Sequence, residues 1–126
     1  MASKRPKTNK ERDERIESEI VVDCHDSDER VMGWYCYLED RLRFPFTATC
    51  VSERVTSPLR RGDEVEVIGM AGQDECPHEM LVLIRWDRKK GLAVPLSQLK
   101  PGPDADEQTQ EAVADWHYWV GMGYEF

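Results

Sequence analysis

Several features that would settle a chemistry at once are missing from this 126-residue chain. No run of about 20 apolar residues exists, and the basic start is not followed by an apolar stretch, so neither a transmembrane helix nor a secretory leader is expected. The four cysteines, Cys24, Cys36, Cys50 and Cys76, lie far apart without a C-x-x-C pair. Free thiols in a reducing cytoplasm are the plain expectation, with Cys36 and Cys50 as small apolar fillers. Cys24-His25 and Cys76-Pro77-His78 carry good zinc ligands at a spacing that matches no common zinc module. There is no G-x-S-x-G, no H-E-x-x-H and no glycine-rich phosphate loop, and none of the three histidines has an evident nucleophile partner. His117, between Trp116 and Tyr118, reads as a hydrogen-bonded packing residue. The expectation is a protein that is not an enzyme.

Positive charge is also scarce. Lysine and arginine number 17 against 25 acids, a net charge of −8, and the deficit is uneven. Residues 1–15 carry Lys4, Arg5, Lys7, Lys10, Arg12 and Arg15 against Glu11, Asp13 and Glu14, which leaves a body of about −11. Such a body repels phosphate backbones and attracts cations, so no nucleic acid is expected as a partner of the folded part, and no membrane.

What is present patterns as one α+β domain over residues 1–126, with residues 1–7 a basic tail too poor in apolar groups to repay its ordering. Helical spacing runs from Thr8 to about Val22 through Ile16 and Ile20, with Thr8 or Asn9 able to cap it. A second helix, from about Asp28 to Leu42, carries Val31, Trp34 or Tyr35, Leu38 and Leu42 on one stripe, behind Asp26 or Ser27 as cap. Gly33 inside it weakens the helix by about 1 kcal/mol relative to Ala, which points to a close contact there.

Strand-like runs follow at Phe46 to Val51, Glu64 to Met70, Met80 to Trp86 and Leu92 to Leu96, the last three forming a meander. Leu81 to Ile84 is continuously apolar, as for a strand covered on both faces. Lys100 to Asp104 reads as a linker, and a last helix begins at Thr109. The architecture predicted is N-terminal helices, a small bent antiparallel sheet or open SH3/Sm-like barrel, and a C-terminal helix.

Acidic residues supply the candidate chemistry, because hard cations such as calcium take six to eight oxygen ligands. An EF-hand is excluded: Asp26-Ser27-Asp28 and Asp104-Ala105-Asp106 begin like D-x-D, but Arg30 and Gln108 stand at the next ligand position and the required Gly is absent. Glu39 and Asp40 sit at the negative end of the second helix, where carboxylates need a cation: Arg41, Arg43 or a metal ion. Asp74, Glu75 and Glu79 crowd the loop between the first two strands of the meander.

The blocks from Asp28 through Gly33-Trp34-Tyr35-Cys36-Tyr37-Leu38-Glu39-Asp40 to Cys50, Gly62-Asp63-Glu64-Val65-Glu66-Val67-Ile68-Gly69-Met70, Val94-Pro95-Leu96-Ser97-Gln98-Leu99 and Asp115-Trp116-His117-Tyr118-Trp119-Val120 resemble the calcium-binding family typified by CcbP of filamentous cyanobacteria. The resemblance covers nearly everything after Arg15. It implies a small acidic cytoplasmic protein that binds Ca2+ without EF-hands, as a calcium buffer or sensor. It also implies that the aspartate of the Leu-Glu-Asp segment, here Asp40, is a ligand. Glu39, Asp74, Glu75 and Glu79 join it on local carboxylate density alone. The rival expectation is an SH3-like interaction module that holds a protein segment near Trp86 and has no metal role; the protein partner is left open.

Overall fold

The computed structural model describes residues 9–22, 24, 26–55, 57–72, 79–86 and 89–123. The expected loop acids Asp74 and Glu75, the pair Cys76 and His78, His25, the basic tail and the last three residues therefore lie outside the described residues.

Polar caps start the helices. Asn9 accepts the Arg12 N–H at 3.0 Å and opens α1, Lys10–Arg15, which passes without a break into a π-helical turn, Ile16–Ile20. Asp26 accepts from Glu29 N–H at 2.9 Å ahead of α2, Ser27–Arg41, and Asp106 accepts from Thr109 N–H at 2.7 Å ahead of α3, Glu107–Gly121. Each cap satisfies one of the orphan N–H groups of a first turn. The last helix thus begins two residues before the expected Thr109, which is the capped residue and not the start.

Among the described residues five strands form one antiparallel sheet: β1, Phe46–Cys50; β2, Glu64–Met70; β3, Leu81–Trp86; β4, Lys89–Pro95; and β5, Leu99–Pro101, in the order β4-β3-β2-β1-β5. The meander is β2-β3-β4, as expected. A register shift between Val67 and Gly69 against β3 places one extra residue in β2 and bends the sheet there. A 3-10 turn, Leu96–Gln98, then carries the chain from the β4 edge to the opposite edge, where β5 pairs with β1 at Ala48↔Pro101 and Cys50↔Leu99. The stretch read as a linker from Lys100 is therefore partly a strand. Its Pro101 has no N–H to donate, and an edge strand tolerates that.

Alternation puts Phe46, Ala48 and Cys50 of β1, Val65 and Val67 of β2, and Val82 and Ile84 of β3 into one core with Trp34, Leu38, Trp116 and Leu99. The second face of β3 is not covered as its apolar run suggested: Leu81 and Leu83 are only half-buried, with Leu83 beside Ile68 above Gly91. Cys50 is buried as expected, but Cys36 is exposed. It lies on the side of α2 away from the Trp34 and Leu38 stripe, so it fills no space in the core. Val120, near the end of α3, is also exposed.

At Gly33 the expected close contact is real. A Cβ there would overlap the Ile20 carbonyl oxygen, so the π turn lies directly on the α2 backbone. Among the described residues no helix is long and apolar enough to cross a membrane.

Candidate metal centre

The end of α2 is where the acidic candidates meet the N-terminal segment. Asp40, in the last turn, has 81% of its side chain exposed and only a loose ion pair with Arg41, 3.8 Å from Nε to Oδ2. Glu39 beside it is exposed as well. Packing the π turn over Gly33 brings Glu19 to the same place, and Glu19, Glu39, Asp40, Arg41 and Tyr37 line one depression. Arg41 reaches Glu19 at 3.4 Å and lies over the Tyr37 ring, its Cζ 4.9 Å from the centroid.

Glu19 was invisible as a candidate in the sequence. It stands 22 positions before Arg41, and no motif marks it. Glu79 is placed differently from Asp40: both of its oxygens face the Arg54 guanidinium, at 2.8 and 3.2 Å. A bidentate partner of that kind already satisfies the carboxylate. Arg43, the other cation expected beside Asp40, instead pairs with Asp106 at 3.2 Å and donates its N–H to Thr109 Oγ1 at 2.9 Å, stitching the end of α2 to the start of α3.

A buried charge fixes Tyr37, one of the residues lining the depression. Asp115, with no exposed surface, accepts from Arg12 at 2.6 Å, from Arg15 Nε at 2.9 Å and NH2 at 2.6 Å, and from the Tyr37 hydroxyl at 2.8 Å. Burial, followed by the hydrogen bond to Asp115, raises the Tyr37 pKa well above its usual value, so the hydroxyl remains a donor. Arg15's own hydrogen bonds to Asp115 raise its pKa in turn. One carboxylate thus ties α1, α2 and α3 together and positions both the Tyr37 platform and the segment that carries Glu19.

The donor types suit calcium, since Glu19, Glu39 and Asp40 offer hard carboxylate oxygens open to water. They are not drawn together into a ready cage: among the described residues no three His, Cys, Asp or Glu groups converge closely enough to hold a metal ion. Among the described residues the cation paired with both Glu19 and Asp40 is the protein's own Arg41.

His117 lies on the far side of α3, where its Nε2–H donates to the Leu99 carbonyl at 2.6 Å. It covers a hydrogen-bonding group of edge strand β5, the packing role expected of it. Trp86, the expected anchor of an interaction groove, is half-buried and packed against the core.

A family model described as calcium binding, CcbP type, matches residues 14–120. The crystal structure of Anabaena CcbP superposes with a TM-score of 0.84 at 41% identity, over 100% of both chains. A calcium binding protein in the calcium-binding form superposes with a TM-score of 0.81, also at 41% identity, over 94% of this chain and 95% of that one. No curated protein matches the chain. By sequence along nearly all its helices and strands, and by fold from end to end, the chain belongs to the CcbP family of calcium-binding proteins.

Proposed function

We propose that this protein binds calcium reversibly, through exposed carboxylates and without EF-hands, and that Asp40 is a principal ligand with Glu39 and Glu19 around it. The observation that carries the reading is the match, over the whole fold at 41% identity, to Anabaena CcbP and to a relative in the calcium-binding form. The placement of Asp40 supports it: the carboxylate is open, weakly paired and next to two further acids. The acidic balance favours a cation over a phosphate backbone. Ligands from separate segments on a surface suit a dissociation constant in the range of about 10⁻⁶ to 10⁻³ M, which overlaps that of calcium sensors and is weaker than that of a rigid high-affinity loop.

No chemical step follows from the geometry, so the role proposed is binding and not catalysis. The sheet order, with a 3-10 turn joining its two edges, supports reading the β part as an open SH3-like barrel. Calorimetric titration with calcium, repeated in excess magnesium, tests the function. Saturable binding that Asp40→Asn weakens at least fivefold, with an unchanged circular-dichroism spectrum, is the expected result. Absence of saturable binding up to millimolar calcium overturns it.

A further inference from the structure

The depression at the end of α2 holds a cation that the protein supplies itself. The Arg41 guanidinium lies over Tyr37 and reaches Glu19 at 3.4 Å and Asp40 at 3.8 Å, both long for charge-assisted hydrogen bonds. All three side chains are partly or largely in water, so these contacts are cheap to break.

Tyr37 is by contrast fixed, because its hydroxyl is spent on buried Asp115. On the other side of Tyr37, Arg41 also lines a second depression, with Arg15, Asp106, Glu107, Gln108 and Glu111. There Asp106 already pairs with Arg43 and Glu111 with Arg12, both at 3.2 Å, which leaves Glu107 as the carboxylate that a displaced guanidinium can meet.

We propose that Arg41 sets the calcium affinity of this site: it neutralises Glu19 and Asp40 in the free protein, and swings over Tyr37 toward Glu107 when calcium takes its place. The inference rests on the reading of Asp40 as a calcium ligand. Arg41 acts on the ion through charge and position and is not itself a ligand.

Removing one positive charge about 6 Å from a divalent ion in water should tighten binding about three- to tenfold after salt screening. The experiment is calorimetric calcium titration of the parent, Arg41→Gln, Arg41→Met, Arg41→Lys and Arg85→Gln. Arg85, paired with Glu66 at 2.6 Å on β3, controls for the same loss of net charge elsewhere. Both neutral Arg41 variants should bind more tightly, Arg41→Lys should stay near the parent, and Arg85→Gln should change affinity less than about twofold. In the parent, proton NMR should show the Arg41 contact to Tyr37 kept and its contact to Glu19 lost on calcium addition. Neutral Arg41 variants that fold but bind no more tightly than Arg85→Gln, or an Arg41 to Glu19 contact that persists at saturation, overturn the proposal. Asp40→Asn with parental calcium affinity instead overturns the reading on which it stands, whatever the Arg41 variants do.

Discussion

Replacing Asp115 by Ala would leave Arg12, Arg15 and the Tyr37 hydroxyl without the group they all point to. Removing one partner of a buried ionic cluster costs about 3 to 5 kcal/mol, and the partial exposure of the two arginines, 21% and 27%, places this variant near the lower figure. Urea unfolding should show the loss, and α1 should exchange its amide hydrogens faster. A second prediction at this scale concerns His117, whose pKa burial pushes below the usual 6.5 against an opposing hydrogen bond to Leu99. The fold therefore favours the neutral ring. Below about pH 6.5 the unfolded chain binds a proton that the native state resists, so this contribution is complete above that pH and is lost as pH falls toward the lowered native value. Melting temperature should fall through that window, and His117→Gln, which keeps an N–H donor, should flatten that limb.

Between elements, Gly33 governs how closely the π turn approaches α2. In an isolated helix Ala at this position would gain about 1 kcal/mol over Gly. Here its methyl group meets the Ile20 carbonyl, and backbone cannot yield as a flexible side chain would. Gly33→Ala is accordingly expected to destabilise by about 1 to 3 kcal/mol in denaturant unfolding. By displacing Glu19 it should also weaken calcium binding severalfold in the titration above. The sequence showed that something packs against Gly33, because a glycine in the middle of an otherwise apolar-striped helix calls for a reason. It did not show what, since the partner is a carbonyl that any residue at position 20 would present.

For the whole molecule, a ligand that binds only the native state adds RT ln(1 + [L]/Kd) to its stability. At calcium one hundred times Kd that is about 2.7 kcal/mol, or roughly 10 °C in melting temperature for a domain of this size. Chelation should reverse the shift, and excess magnesium should leave most of it in place. Trp34 reports locally on α2, with Trp116 and Trp119 packed against it at 5.0 and 5.5 Å between centroids, so tryptophan fluorescence should follow the same titration. A melting temperature indifferent to calcium would count against native-state binding.

Local chemistry was enough to place most of the framework. A period of 3.6 in the apolar residues marks α2, runs of β-branched and other apolar residues between turns mark β1 to β4, cap residues mark the starts of α1 and α2, and the charge balance points to cations, because the local signals depend on neighbours a few positions away. The family resemblance added Asp40 on the strength of its own short segment. Strand β5 escaped, because Lys100-Pro101 becomes a strand only through pairing with Ala48 and Thr49. The fate of each acid was likewise undecided in the sequence. Asp115 is buried among arginines, Asp106 caps α3, Glu79 faces Arg54, Glu66 faces Arg85, and Glu19 joins Asp40 around Arg41. A carboxylate is a cap, an ion-pair partner or a metal ligand according to its burial and its distance from the nearest cation. Both are products of long-range packing, and only the tertiary structure decides them.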